Sequence, residues 1–269
     1  MYIIIFIYIL MPEGPEILIS SAFLQQFVKG KNFTKITSNT KTKRELPKKS
    51  KVINVYSYGK VIIIQTIDYF VHIHFGITGW LVRSKPRISK YILHFGNYKF
   101  YLQDTRRFSS IKILNEEKHN EELNKLGIDI LSENFTLNNF IMLTKNKKQN
   151  ICSFLLDQKK FAGLGNYIKN EVLYLSKVSP LRKVSDLSDS EIKKIYNNIK
   201  FVSFSNVVDW FNEYEINLPK NIKKLLPKKL KVPYEYYVYE REYDDKKNKV
   251  IFNKKHCGRR TFYVKEVQI

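Results

Sequence analysis

The chain has 269 residues, 43% of them apolar and 14% aromatic, so it can bury a sizeable core, is not disordered as a whole, and is long enough for one large domain or two. Its 47 Lys and Arg against 25 Asp and Glu leave a formal charge of +22 that recurs from Lys29 to Lys265, which excludes a basic tail on an inert body. A small acidic substrate would not need so much charge; a nucleic acid, whose counterions are released as its phosphates are neutralised, fits it, and ribosomal, chromatin and membrane-surface proteins share the balance.

Residues 1–10, MYIIIFIYIL, are wholly apolar. A spanning helix needs about 20 such residues, and no basic flank or small-residue cleavage site accompanies these, so they predict neither a membrane anchor nor a signal peptide. From Glu16 to Val28 apolar residues recur at helical spacing and Gly30 stops the run, which predicts one buried helix. After the basic loop from Lys41 to Lys51 come β-rich runs: Val52 to Tyr58, Val61 to Asp68, Phe70 to Phe75, Tyr91 to Phe95, Tyr98 to Asp104 and Ile111 to Leu114. Short strands with polar or glycine-containing breaks predict an antiparallel sandwich.

Near Leu131 the texture changes, and helices are predicted over Thr136 to Leu143, Ile151 to Leu156, Asn166 to Ser176 and Ser188 to Phe204. The segment PKNIKKLLPKKLK from Pro219 is too basic and too broken by proline for one regular helix. Tyr236 to Tyr243 and Lys249 to Asn253 flank the polar DDKKN and predict a hairpin. The divisions expected are an apolar extension at 1–10, a β-rich domain at 11–131, a hinge at 132–150, a helical domain at 151–235 and a hairpin at 236–269. The only cysteines, Cys152 and Cys257, are too few for a disulfide framework or a cysteine-only zinc site, so a reducing compartment is expected.

Met11-Pro12-Glu13-Gly14-Pro15-Glu16 reads most simply as a turn entering a helix, with Glu16 at the positive end of the dipole. A chemical reading depends on removal of Met11. Pro12 would then carry a secondary amine able to condense with a sugar C1′ and form an iminium ion, which is an electron sink, and Glu13 could move protons at the ring oxygen or the leaving base. Tyr58-Gly59-Lys60 alone is a hairpin turn with a solvated lysine, and Asp104-Thr105-Arg106-Arg107-Phe108 alone could be an edge strand. His72 and His74 share a strand face, but no third metal ligand accompanies them.

MPEGPE resembles the N-terminus of the Fpg/Nei family of DNA glycosylase/AP lyases, and the later motifs follow in the family's order, together spanning Met11 to the last strand. The resemblance implies that Pro12 is the nucleophile and that Lys60 touches the phosphate beside the lesion and assists β-elimination. His74-Phe75-Gly76-Ile77-Thr78-Gly79 is similar to the family loop whose histidine, here His74, contacts a phosphate and whose Ile77 position fills the hole left by the extruded nucleotide. Asp104 to Phe108 is similar to Asp-x-Arg-x-Phe, so Arg106 would pair with the orphaned base and Phe108 wedge beside it. A flat cation and an apolar wedge are what base extrusion requires.

Leu156-Asp157-Gln158-Lys159-Lys160-Phe161-Ala162-Gly163-Leu164-Gly165-Asn166-Tyr167, followed by Glu171, resembles the family's helix-two-turn-helix, in which Asn166 opens a helix that holds a phosphate. Arg259-Arg260-Thr261-Phe262-Tyr263 resembles the second strand of the DNA-gripping finger, which makes Arg259 the phosphate-binding arginine and Arg260 the alternative. Adjacent His256 and Cys257 cannot supply a tetrahedral zinc set, so no metal is expected, Cys257 is given no role, and the chain looks like the zincless-finger Nei-like branch.

The fold implied is α+β: an N-terminal antiparallel β-sandwich flanked by helices, then a helical domain with a helix-two-turn-helix and a zincless β-hairpin finger. The reaction implied is removal of oxidised bases, pyrimidines over 8-oxoguanine, through a Pro12 Schiff base with β,δ-elimination attended by the catalytic residues Lys60 and Arg259, and no cofactor. The partner implied is damaged double-stranded DNA, with single-stranded or bubble DNA as further substrates, for a monomer that is neither secreted nor membrane-bound and works where DNA is. A catalytically silent DNA- or RNA-binding protein on the same scaffold is the rival, because every phosphate-gripping residue would serve it equally well.

Overall fold

The computed structural model describes residues 11–38, 45–253 and 257–269; the extension expected at 1–10 lies outside them. The chain divides into two compact units, one ending at Asn124 and the other beginning at Lys125.

The first unit opens with helix α1 (Gly14–Val28), which buries Ile17, Ile19, Leu24 and Val28. Eight strands follow: β1 (Asn32–Ser38), β2 (Ser50–Tyr58), β3 (Val61–Thr66), β4 (Phe70–His74), β5 (Trp80–Val82), β6 (Tyr91–Phe95), β7 (Tyr98–Gln103) and β8 (Ser110–Leu114). They pair antiparallel in the order β5-β7-β6-β1-β2-β3-β4-β8. The middle of that order is thin, since β1 and β2 meet only through Asn32↔Lys51 and Phe33↔Ser50.

The two ends of the order are tied to each other by chain. Residues 75–79 lead from β4 to β5 and residues 104–109 from β7 to β8, so each short loop joins one half of the sheet to the other. Five or six residues reach at most about 20 Å. The sheet must therefore fold back on itself, which gives the expected antiparallel sandwich. Helix α1 holds both halves: Phe23 and Phe27 pack on Phe100 of β7, while the Gln25 side-chain oxygen accepts from Val55 N of β2 at 2.9 Å.

Helix α2 (Glu116–Asn124) closes the unit and buries one residue, His119. His119 Nδ1 lies 2.7 Å from His72 Nε2 and its ring stacks on Phe70, with Tyr56 Oη 3.3 Å from its other nitrogen. Burial, then the neighbouring His119, holds His72 down to about 4, with Glu122 opposing and Lys112 reinforcing. His119 is likewise lowered by burial, against the pull of Glu116. An unfolded histidine takes its proton near 6.5 and folded His72 only near about 4, so between these values the unfolded chain binds more protons. Stability is therefore full above pH 6.5 and falls toward pH 4, by up to about 3 kcal/mol. Urea melts of the wild type and His72→Gln at pH 7 and pH 4.5 check this; an acid loss unchanged in His72→Gln would remove the pair as its source.

The second unit begins before the boundary expected at Leu131. Strand β9 (Ile128–Asp129) pairs parallel with β10 (Phe161–Ala162), which commits the residues before 131 to this unit. The segment expected as a hinge, 132–150, instead carries helix α3 (Leu137–Thr144), capped by Thr136. Phe140 of α3 packs on Phe154, Phe161 and Tyr196, so the segment is core and not linker.

Helices α4 (Ile151–Leu156), α5 (Asn166–Ser176) and α6 (Asp189–Glu213) match the spacing read from sequence, α6 running on past Phe204. Asn150 caps α4, and Ser188 with Glu191 forms a capping box on α6, the local signals that fix both starts. A single short turn, α7 (Lys220–Lys223), interrupts the basic segment and anchors it through buried Ile222.

The expected hairpin has a different register. Tyr236 to Tyr243 forms no strand, because the backbone N–H groups of Tyr237, Val238 and Tyr239 donate to the buried Glu171 carboxylate at 2.7–2.9 Å. Only Tyr243 bridges Lys249, around a turn held by Asp244. The finger consists instead of β11 (Ile251–Asn253) paired antiparallel with β12 (Thr261–Tyr263).

Candidate functional site

One end of the first unit collects most of the residues singled out in the sequence. Helix α1 runs back along β2, since Gly30 N donates to Val52 O while Gln25 meets Val55. From Gln25 to Glu13 the helix rises about 18 Å. From Val55 to Lys60 the strand advances about 17 Å. The start of α1 and the β2–β3 turn therefore reach the same level. Glu13 is the N-cap of α1 and 1% exposed, and the Glu16 carboxylate accepts from its N–H at 2.9 Å, leaving Pro12 just ahead of the positive end of the helix.

The two-residue turn Gly59-Lys60 links Tyr58 to Val61, and Gly59 adopts the positive φ of 55° that such a turn demands. Val61 pairs with His74 in the next ladder, which brings Lys60 beside the imidazole. Crowding by protein atoms, then the charges of Lys60 and Lys112, holds His74 below its ordinary value, although its edge remains open to solvent. Gly76 N–H donates to Nδ1 at 3.0 Å, so the lone pair is on Nδ1 and a neutral ring presents Nε2–H as a donor. His72 points elsewhere, to His119.

The two crossover loops lie side by side at this end. Asp104, 0% exposed, accepts from Thr78 Oγ1 at 2.7 Å across the loops and from Ser109 N at 2.6 Å and Arg106 N at 3.2 Å within its own. These donors hold its carboxyl below the usual range even though burial pushes the other way. At Gly76 (φ 68°) a Cβ would come within 2.7 Å of the Phe108 backbone, so no side chain fits between the loops. Lys90 Nζ donates to the carbonyls of Arg107 and Ser109 and steadies the second loop.

The result is an outward cluster of Ile77, Arg106 and Phe108. Ile77 is half-buried, Phe108 is 55% exposed, and the Arg106 guanidinium lies 5.2 Å from the Phe108 ring centre. The motif spacing located these side chains. It did not reveal that Thr78, Asp104 and Lys90 hold them, because those bonds cross between loops that only sheet closure brings together.

In the second unit Gln158 braces the turn before α5, donating to Leu156 O and Leu164 O and accepting from Gly163 N. Asn166 opens α5, but its side chain is turned inward: Nδ2 donates to Arg260 O at 2.9 Å and Oδ1 accepts from buried Lys169 Nζ at 3.1 Å. Asn170 Oδ1 accepts from Phe262 N at 3.0 Å, and Lys169 also donates to Thr261 Oγ1 at 2.9 Å. The finger strand β12 is thus pinned to the first turn of α5 by Asn166, Lys169 and Asn170, the last two of which carried no motif signal.

The two candidate arginines differ. Arg260 pairs with Glu240 Oε1 at 3.0 Å and lies over Phe252 and Phe262. Arg259 is exposed, and its guanidinium meets no hydrogen-bond partner among the described residues.

Comparison with known sequences gives these parts a common context. The formamidopyrimidine-DNA glycosylase N-terminal domain model matches residues 11–111, and the formamidopyrimidine-DNA glycosylase H2TH domain model matches residues 126–207. A formamidopyrimidine-DNA glycosylase of Wolbachia pipientis from Culex pipiens is 34% identical over 206 residues, covering 71% of this chain and 76% of the relative. The chain belongs to the formamidopyrimidine-DNA glycosylase family. It is a DNA-repair glycosylase, and DNA is its partner.

Another member of the family, from Listeria monocytogenes, is 29% identical over 209 residues, 71% of this chain and 77% of the relative. The crystal structure of MutM (Fpg) from Thermus thermophilus superposes with a TM-score of 0.78 at 22% identity, over 96% of this chain and 98% of the other. A Lactococcus lactis Fpg bound non-covalently to AP-site DNA gives 0.77 at 19% identity, over 95% and 99%. These two likenesses establish the glycosylase fold across both units. The N-terminal match starts at Met11, the residue before Pro12. No helix among the described residues is long and apolar enough to cross a membrane.

Proposed function

We propose that the chain is a bifunctional glycosylase and AP lyase that works through the Pro12 amine. With Met11 removed, the Pro12 lone pair attacks C1′ of an extruded nucleoside. The N-glycosidic bond breaks and the base leaves with a proton from Glu13. The amine proton is passed to O4′ as the C1′–O4′ bond breaks, and ring opening leaves an iminium ion between Pro12 and C1′. It accepts the electron pair when C2′ loses its proton, and the 3′ phosphate leaves; a second elimination releases the 5′ phosphate. Lys60, His74 and Arg259 hold the phosphates, while Ile77, Arg106 and Phe108 occupy the vacated place in the duplex. The observation that carries this reading is the convergence of the α1 start, the Lys60 turn and His74 at one end of the first unit.

Glu13→Gln is expected to slow base release at least tenfold and leave DNA binding nearly unchanged; full glycosylase activity in that variant would rule out its proton-transfer role. The preferred lesions in this reading are oxidised pyrimidines and hydantoins over 8-oxoguanine. A Lactococcus lactis Fpg with the same fold has been crystallised on DNA containing an oxidised pyrimidine, which supports the lesion class. Excision rates across a panel of lesion duplexes, single strands and bubbles measure it, and a clear preference for 8-oxoguanine opposite cytosine would reverse it.

Arg259 and Arg260 separate under mutation. Arg259→Ala is expected to weaken DNA binding and flatten log K against log salt by about one unit for the lost phosphate contact. Arg260→Ala, which loses an internal ion pair, leaves the slope unchanged and lowers the melting temperature. Equal slopes for wild type and Arg259→Ala would take Arg259 off the DNA.

A further inference from the structure

The only two cysteines of the chain, 105 positions apart, meet at the base of the finger. Cys257 is half-buried and precedes β12; its Sγ is 3.7 Å from Lys169 Nζ and 3.7 Å from Thr261 Oγ1. Cys152, fully buried on α4, donates its S–H to Pro180 O at 3.6 Å and is close enough to Cys257 for the two thiols to act on each other's ionisation. A cation, a hydroxyl and a thiol around one accessible sulfur form a setting that stabilises a thiolate.

We infer that Cys257 and Cys152 are a peroxide-reactive thiol pair, in which Cys257 is oxidised first and then closes a reversible disulfide with Cys152 that ties the finger to helix α4. The neighbouring Cys152, with Lys169 and Thr261 each 3.7 Å from the sulfur, holds Cys257 below the usual thiol value, while contact with Cys257 and burial push Cys152 well up. Exposure sorts them the same way, since peroxide reaches Cys257 and not the sulfur behind it.

The chemistry balances with hydrogen peroxide as the oxidant. The Cys257 thiolate attacks one peroxide oxygen, the O–O bond breaks, and the departing hydroxide takes up a proton to become water, leaving a sulfenic acid. Cys152 then attacks that sulfur, the hydroxyl leaves as a second water carrying the Cys152 proton, and the S–S bond forms. Two thiols have been oxidised by two electrons and one peroxide reduced to two waters. The site is independent of the Pro12 chemistry.

The full-length reduced protein treated with equimolar hydrogen peroxide at pH 7, blocked with N-ethylmaleimide and mapped without reductant, is expected to yield one Cys152–Cys257 cross-linked peptide that dithiothreitol dissolves. In Cys152→Ser the reaction stops at a dimedone-reactive Cys257. Before oxidation, iodoacetamide should label Cys257 at least tenfold faster than Cys152. Both cysteines still alkylatable after peroxide, or a dimedone adduct on Cys152 instead of Cys257, would overturn the inference. The Cys152→Ser result stands even where the cross-linked form resists mapping.

Discussion

A chain that begins at Pro12 is expected to be trapped covalently on abasic-site DNA by borohydride, and a chain that retains residues 1–10 is expected to give no adduct. Within the chain as written, the Pro12 nitrogen belongs to the Met11–Pro12 peptide bond. Its lone pair is delocalised into the Met11 carbonyl, and a tertiary amide can neither attack C1′ nor become an iminium ion. The family's N-terminal domain model matches from Met11, so residues 1–10 lie outside that match. Two purified proteins decide the matter, one expressed from Met11 and one from Met1, with their N-termini sequenced before assay. The expected contrast is complete in trapping and in strand cleavage, whereas binding to DNA falls little. Pro12→Gly in the short form offers a primary α-amine of pKa about 8 and should retain part of the trapping. An adduct of equal yield from the long form, with the extension verified intact, would remove Pro12 as the nucleophile. Binding by both forms with trapping by neither would favour the catalytically silent scaffold.

Local signals account for what could be read from the residues before any fold was known. Ser188, Asn150 and Thr136 each cap a helix whose start was expected within a residue or two, and α5 runs over the residues its apolar spacing marked, although its polar Lys169, Asn170 and Glu171 are buried as well. The β-rich runs fell on strands because alternation and β-branched residues act within a single strand. What escaped were the particular contacts by which distant segments meet. Nothing local says that Phe140 fills the core beside Phe154 and Phe161, so the segment at 132–150 read as a hinge. The register of the finger escaped for the same reason: Glu171, from α5, captures the N–H groups of Tyr237 to Tyr239 that a local hairpin would have used. Asn166 sits at the helix start its motif implied, yet its amide is spent on Arg260 and Lys169, a partnership that exists only because β12 packs there. Cys257, given no role from sequence, faces Lys169 across 88 positions.

Breaking the bridge between the two crossover loops is expected to separate duplex repair from the chemistry itself. Asp104 accepts one bond from Thr78 across the loops and two from backbone N–H groups of its own loop, all while fully buried. Hydrogen bonds to a buried carboxylate contribute about 1.5–3 kcal/mol each, and removing the acceptor strands the donors. Asp104→Ala should therefore cost the first unit at least about 3 kcal/mol and free the loops from each other; Thr78→Val, which loses the bond to Asp104 and those Thr78 accepts from Thr105 Oγ1 and Arg106 N but leaves the backbone bonds to Asp104 in place, should cost about 2–3 kcal/mol. On the proposed roles of Ile77, Arg106 and Phe108, the functional consequence falls on these three, which would be needed only where a base leaves a stack and an orphaned partner must be held. A lesion in single-stranded DNA makes no such demand, so its excision should survive. A loss of about 2–3 kcal/mol in holding the extruded state corresponds to a fall of about 100-fold in the duplex rate. Single-turnover excision by Thr78→Val on matched duplex and single-stranded substrates, at a temperature where the variant is folded, measures the ratio directly. A fall of equal size on both substrates would reduce the bridge to a contribution to stability, and an unchanged duplex rate would show that the wedge residues hold their positions without it.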